Sequence, residues 1–314
     1  MSVSSILPCS FFFSFLLFLQ GCGSNGRIED LEEETVTTEE SSPEEFGEQL
    51  NLTVLLDLSD RVEPTKHPAS PEHADRDIEI VRYLTQLFKN NMEEKGAYRA
   101  NDKMKVIFSP RPQDSEINSI ASRLNVDLSK MANAQEKKQV FDSIEETFTQ
   151  NLRSIYDETI ETKNYPGSDI WRFFKNDVVD YAVERDPAYR NVLIILTDGY
   201  LYHKDSRAVE GSRSAYMTPQ RLSAQGLRSS NWREKFEEGN YGYIATRDDL
   251  ENLDILVLEI NPTASHKSDE DVLKAYLAKW FEEMKVNKFN LYNSDLPEYT
   301  KGRIDEFLNG QGSD

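Results

Sequence analysis

Two aspartates each follow directly after an apolar run. Asp57 comes after residues 51–56, and Asp198 comes after residues 191–197, which include Val-Leu-Ile-Ile-Leu. If both runs are parallel strands, their carboxyl ends share one edge of a sheet, and ligands of such sheets bind outside that edge. Asp57 and Asp198 are therefore the best candidates for a functional site. The alternative is a structural role, in which each carboxylate accepts backbone N–H bonds in its own loop.

The elements that would position this pair alternate along the chain. Continuous apolar runs indicate strands buried on both faces, whereas apolar residues at helical spacing indicate helices that cover them. The predicted strands span 51–56, 103–108, 191–197, 254–260 and 289–292. The predicted helices span 72–95, most of 115–162, 168–184, 268–286 and 300–308. This order predicts an α/β fold with a doubly wound, mainly parallel sheet and helices on both faces.

Composition limits the possible partners. The 314 residues carry a formal net charge of −20, with 36 Lys and Arg against 56 Asp and Glu. Such an excess of acid argues against nucleic acid as a partner, because nothing offsets phosphate repulsion. It also disfavours electrostatic attachment to anionic lipid. An acidic surface is, however, what keeps a secreted protein soluble.

The N-terminal residues predict export and anchoring. An apolar run over residues 11–19 is too short to span a bilayer and fits the core of a secretory signal, although no Lys or Arg precedes it. It ends in Leu-Gln-Gly followed by Cys22, which resembles the lipobox of bacterial lipoproteins. This resemblance implies a signal peptide over 1–22, a lipid on Cys22 and a location in the bacterial cell envelope. The location would be the outer membrane, on its periplasmic or surface-exposed side. The alternative is a buried apolar segment with an incidental cysteine.

Residues 23–50 are dense in acid and predict a disordered tether. The folded domain is then expected over 51–310, with a long insertion at about 200–252. Apart from Cys9 and Cys22 the chain has no cysteine, so a disulfide framework or a Cys-based zinc site is excluded from that domain.

Two short motifs resemble the von Willebrand factor A (vWA) family. They are Asp57-Leu58-Ser59-Asp60 after the first strand and Thr197-Asp198-Gly199 after a later one. The resemblance extends over about residues 52–308 and implies a metal-ion-dependent adhesion site at the top of the sheet. Its ligands would be Asp57, Ser59, Ser168 and Asp198, and its ion Mg²⁺, with Mn²⁺ or Ca²⁺ as alternatives. Mg²⁺ favours such hard oxygen ligands, and an acidic side chain of a protein partner can complete its coordination.

Two of these positions depart from the family pattern. Ser168 stands where the family usually has Gly-Thr, and it could instead be a plain helix N-cap. Arg61 stands where the family has a second serine. A guanidinium that points inward would weaken divalent binding by repulsion. One that points outward would leave its place to Asp60 or water, and would make Arg61 available to a partner.

The insertion is locally basic in an acidic chain. Its arginines alternate with aromatic residues, and the candidates for partner contact are Arg213, Arg221, Arg228 and Trp232. These side chains could recognise an acidic protein or glycan. They could equally hold the insertion against the acidic body of its own domain.

Three functions are compatible with this sequence. The leading hypothesis is a lipid-anchored binding module that engages a protein partner at the Asp57/Asp198 edge, without catalysis. A rival is a metal-dependent hydrolase or phosphoesterase, in which His203 or His266 assists the metal. The third is a structural envelope component whose degenerate site binds no metal, which the presence of Arg61 favours.

Overall fold

The apolar runs of the sequence form the strands of one central sheet. The computed structural model describes residues 48–262 and 266–309. The first elements are β1 (Gln49–Leu56), α1 (His73–Lys95), β2 (Lys103–Phe108), α2 (Ser115–Ala121), β3 (Asn125–Asp127) and α3 (Ala134–Thr162). Next come α4 (Ile170–Asn176), α5 (Val178–Ala182) and β4 (Tyr189–Leu196). The insertion contributes β5 (Val209–Glu210), β6 (Arg213–Ser214), α6 (Pro219–Ala224), α7 (Trp232–Glu238) and β7 (Gly242–Tyr243). The last elements are β8 (Asp254–Ile260), α8 (Asp269–Glu283), β9 (Lys288–Asn293) and α9 (Pro297–Asn309).

The central sheet has six strands in the order β3-β2-β1-β4-β8-β9. All neighbouring strands are parallel except β2 and β3. The predicted α/β class with a doubly wound, mainly parallel sheet is thereby confirmed. Because the strand order reverses between β1 and β4, the switch point of the sheet lies where Asp57 and Asp198 follow these two strands.

Apolar layers cover both faces of the sheet. On one face, α1, α3 and α9 contribute buried aromatic residues such as Phe88, Phe148 and Phe307. The other face is covered by α4, α5, α8 and the insertion. Trp280 of α8 lies at the centre of this layer, with its ring centroid 4.8 Å from that of Phe174 in α4. Successive residues of β4 alternate between the two layers, which explains why its run is apolar without interruption.

Two predicted helices are interrupted. The helix expected over 168–184 is in fact α4 and α5, which meet at Asp177 in a non-helical conformation (φ −120°, ψ −20°). Asparagine and aspartate compete for backbone hydrogen bonds, which disfavours continuation there. The stretch 115–162 contains β3, which pairs antiparallel with β2. Leu124, Val126 and Leu128 alternate in this region, so their period is that of a strand.

The insertion is more regular than expected. Its strands form a three-stranded sheet in the order β5-β6-β7. Aromatic contacts join it to α8, since the ring centroid of Tyr276 lies 5.2 Å from Phe236 and 5.4 Å from Tyr243. Strands of two residues are too short to produce a visible period, which is why the sequence suggested no order here.

The predictions for the N-terminus fall outside the described residues. They include the signal peptide, the lipid on Cys22 and nearly all of the acidic tether. Only the C-terminal boundary of the predicted tether lies among the described residues. It comes earlier than predicted, because β1 already begins at Gln49. In the ranges 48–262 and 266–309, no helix has the length and apolarity needed to cross a membrane.

Candidate strand-end site

Asp57 ties together the two loops at the switch point. β1 and β4 run in register up to Leu56 and Leu196, and the Asp57 N–H then donates to the Leu196 carbonyl at 3.1 Å. The Asp57 carboxylate is fully buried. Its Oδ1 accepts from the Ser59 N–H and its Oδ2 from the Thr197 hydroxyl, each at 2.8 Å. The carboxylate is therefore held in one orientation by both loops, and Thr197 is a positioning residue that was absent from the predicted site.

Asp198 is the more accessible carboxylate. Its side chain is partly exposed, and Oδ1 accepts from the Tyr200 N–H at 2.9 Å. Partial burial, followed by the nearby charge of Asp57, raises the pKa of Asp198 to about 7. The anionic form is thus costly unless positive charge comes close to it.

Ser168 is brought to the same edge by the backbone. Isolated bridges pair Gly167 with Leu58 and Ser168 with Tyr202. Gly167 has φ +89°, and a Cβ there would lie 3.0 Å from the Tyr202 carbonyl oxygen, so the close approach requires glycine. The Ser168 hydroxyl is buried and has no hydrogen-bond partner among the described residues. The N-cap interpretation of Ser168 is wrong, because α4 begins after Asp169.

A single cleft of about 1180 Å³ opens over these residues at the carboxyl edge of the sheet. Ser59, Ser168 and Asp198 line it, and Asp57 follows β1 at the same edge. The structure thus places all four predicted ligands at one edge, while their role as ligands remains a prediction. Throughout the described part of the chain, no group of three or more His, Cys, Asp or Glu could hold a metal ion. A metal would therefore depend on the serine hydroxyls together with the two carboxylates.

Arg61 points into the protein, below the strand ends. Its Nε donates to the Asp57 carbonyl at 3.1 Å, and its Nη2 donates to the Leu196 carbonyl at 3.4 Å and to the Asp77 carboxylate. The Tyr156 hydroxyl donates to the same carboxylate at 2.5 Å. With only 2% of its surface exposed, Arg61 cannot contact a partner, so that prediction is wrong.

The inward guanidinium stays charged. Burial lowers the pKa of Arg61, but the charge of Asp77 and the other acidic groups around it raise the pKa by more, and the net shift is upward. Asp57 and Asp198 are among those acidic groups. A fixed cation therefore lies beside the two carboxylates, on the protein side, and it partly offsets their negative charge.

The candidate partner residues of the insertion are engaged within the domain. Arg213 makes a two-pronged ion pair with Glu283 at 2.5 and 2.7 Å, and Arg228 makes one with Asp269 at 2.8 and 2.7 Å. Both acids belong to α8. Arg221 lies over the Tyr216 ring, 5.0 Å from its centroid. The remaining candidate, Trp232, packs on Phe236 at a centroid distance of 6.5 Å. These contacts match the internal interpretation of the basic insertion, while contact of the same residues with a partner stays a prediction.

The two histidines considered for catalysis lie in different places. His203 lines the cleft, with Nδ1 3.2 Å from the Asp169 carboxylate. His266 precedes α8, with Nδ1 2.8 Å from the Ser268 hydroxyl. Neither makes a hydrogen bond to Asp57 or Asp198 in the described ranges.

Comparisons with known proteins add little. No protein-family model matches the chain, and no curated protein matches it. Among solved structures, it is similar to an aerotolerance-related membrane protein from Bacteroides fragilis NCTC 9343, crystallised with multiple mutations to serines. The match covers 83% of this chain and 99% of that chain, with 11% sequence identity and a TM-score of 0.35. A similarity of that size supports no argument about function.

Proposed function

We propose that this chain is a vWA-like binding module of the bacterial cell envelope, anchored by a lipid on Cys22. It engages a protein partner at the strand-end site, defined as Asp57, Ser59, Ser168 and Asp198. The observation that carries the proposal is the buried Ser168 hydroxyl. It has no hydrogen-bond partner among the described residues, and it lines the cleft that Ser59 and Asp198 also line. A buried polar group in this state is normally satisfied by water, an ion or a ligand, and at Ser168 any of these would enter from the cleft.

The place of the site in the fold supports this proposal. With the strands of the central sheet numbered along the chain, their order is 3-2-1-4-5-6. Sheets of this order bind ligands at the switch point between the first and fourth strands. Asp57 and Asp198 follow these two strands, and the cleft opens above them.

The donor set suits a hard divalent cation. Two carboxylates and two hydroxyls are oxygen ligands of the kind that Mg²⁺ prefers, and Mn²⁺ or Ca²⁺ would use the same groups. Such an ion, when bound, would supply the positive charge that an acidic side chain of the partner needs. The chain's own residues supply the preorganisation: Thr197 and the Ser59 N–H orient Asp57, while the Tyr200 N–H orients Asp198.

Calorimetric titration with Mg²⁺ and Mn²⁺ tests the metal directly. We expect weak binding, with a Kd on the order of millimolar, because Arg61 repels a cation from below. Ser168→Ala should weaken binding about tenfold, which corresponds to about 1.4 kcal/mol, without loss of stability, since the hydroxyl makes no bond in the described structure.

Ser154→Ala is the matched control, because this serine of α3 is exposed and does not line the cleft. The Ser154→Ala variant should bind the metal with the same affinity as the wild type. Absence of heat at roughly 10 mM metal, well above the expected Kd, would reject the metal site.

A metal-free binding module is the second candidate, and the inward position of Arg61 favours it. In this version the guanidinium supplies the positive charge beside Asp57 and Asp198 that a metal would otherwise provide. Partner capture from solubilised envelopes with and without EDTA separates the two versions. Release by EDTA supports the metal, whereas capture that resists EDTA supports the metal-free module.

A further inference from the structure

The cleft above the strand-end site is lined by an excess of positive charge. Six lysines and arginines line it against three aspartates. In the whole chain the balance is reversed, with 36 Lys and Arg against 56 Asp and Glu. The sign of the local potential therefore differs from that of the rest of the surface, and a cleft with one sign of charge attracts ligands of the opposite sign.

Five of these cations form what we call the cationic rim. They are Arg111, Lys163, Arg172, Lys204 and Arg207. All five are exposed, and none has an ion pair with any residue that the structure describes. The sixth cation, Lys66, pairs with Asp60 at 2.9 Å. By contrast, Arg213 and Arg228 of the insertion are both paired with α8.

The cationic rim is assembled from separate parts of the chain. Arg111 follows β2, Lys163 ends α3, Arg172 lies in α4, and Lys204 and Arg207 follow β4. Convergence of four segments on one cleft is a property of the fold and is not the result of a local basic run. An exposed tyrosine lies in the same cleft as these cations: Tyr202 lines it and is 42% exposed.

We infer that the cleft binds an acidic segment of a partner polypeptide. The segment bears several carboxylates, and the cationic rim contacts them around the strand-end site. This inference rests on the proposed function and names the chemistry of the partner. Nucleic acid fits less well, because it carries a negative charge on every nucleotide and would place some of them against Asp60, Asp198 and Asp205, which also line the cleft. A polypeptide can place neutral side chains there and its carboxylates against the cationic rim. Tyrosines beside arginines are typical of protein-binding surfaces.

The test uses the full chain and a fluorescent peptide of alternating glutamate and serine, with fluorescence anisotropy as the readout. The reference probes are the same peptide with glutamine for glutamate, and a polyuronate oligosaccharide of equal charge. Lys204→Glu with Arg207→Glu removes two rim cations. Lys175→Glu with Arg185→Glu is the matched control, since these exposed residues have no ion pair in the described ranges and do not line the cleft.

We expect the glutamate peptide to bind, and the rim variant to weaken its binding about tenfold or more. The control variant should bind within about twofold of the wild type, although its net charge changes equally. Raising the ionic strength from about 0.05 to 0.5 M should also weaken binding, because exposed charges are screened. The inference is overturned by equal binding to both variants, by tighter binding of the polyuronate, or by no peptide binding at low salt.

A photo-crosslinking assay on the same proteins, with a photoreactive side chain at Tyr202, reports the partner independently. If position 202 gives an adduct that depends on Asp198, but the glutamate peptide does not bind, only the acidic-segment inference is overturned. Peptide binding without any adduct in envelopes overturns the proposed function.

Discussion

Asp77→Ala is expected to lower the free energy of unfolding by about 3–5 kcal/mol, because it leaves the buried guanidinium of Arg61 without its carboxylate. Asp77 is completely buried, and both Arg61 and the Tyr156 hydroxyl contact it. Three parts of the chain meet there: the loop after β1, helix α1 and helix α3. Loss of the carboxylate should therefore loosen the support beneath Asp57 as well. Urea unfolding followed by circular dichroism measures the change.

Asp75→Ala is the matched control for this experiment. Asp75 pairs with Arg153 at 2.6 Å and joins the same two helices, but both side chains are well exposed. An exposed ion pair contributes about 0–1 kcal/mol, so the control should change little. If Asp75→Ala and Asp77→Ala destabilise the protein equally, the buried ion pair is not what supports the strand ends.

Arg228→Ala is expected to lower the free energy of unfolding by about 2–3 kcal/mol and to expose residues 200–252 to proteolysis. The reason is that Asp269, at the start of α8, is almost completely buried and accepts two hydrogen bonds from the Arg228 guanidinium. Without this guanidinium, a carboxylate stays buried and the insertion loses one of its ties to α8. Urea unfolding and limited proteolysis report the two effects.

Arg233→Ala serves as the control in the insertion. Arg233 is exposed, lies over the Trp232 ring 5.2 Å from its centroid, and has no ion pair in the described part of the chain. Substitutions at such surface positions usually change stability by less than about 0.5 kcal/mol. Equal proteolysis of the two variants would show that the Arg228 pair does not hold the insertion in place.

The fold was predictable because its central strands are buried on both faces. Continuous apolar runs identify β1, β4 and β8, and each ends at a polar residue or proline that marks the edge of the sheet. Asp57 and Asp198 could therefore be placed at one edge from sequence alone. The two-residue strands of the insertion could not be placed, because no period is visible in so few residues. The three-residue strand β3 was missed because its short alternation lies between two long stretches with helical spacing.

That the Arg61 side chain points into the protein could not be predicted from the sequence, for a different reason. Its partner carboxylate lies 16 residues further along the chain, and the Tyr156 hydroxyl that shares this carboxylate lies 79 residues beyond that. The ties of the insertion to α8 likewise join residues 41 and 70 positions apart. Such pairs depend on how the helices pack, and no local pattern of the sequence records that packing.

Under the proposed function, a partner would bind where the strand-end site and the cationic rim lie. The site offers two oriented carboxylates and a buried hydroxyl without a partner among the described residues, and the rim surrounds it with positive charge. Arg61 places a fixed cation on the protein side of the carboxylates. The affinity for a metal and the affinity for a partner are therefore not bound to change in the same direction.

Photo-crosslinking in intact envelopes tests the central claim that a protein partner binds at the carboxyl edge of the sheet. A photoreactive side chain replaces Tyr202, which lines the cleft, or Tyr98, which is 90% exposed in the loop that leads into β2, at the opposite edge. We expect a protein adduct from position 202, its loss in Asp198→Asn, and no corresponding adduct from position 98. Adducts of equal yield from both positions, or an adduct at position 202 that survives Asp198→Asn, would contradict the claim.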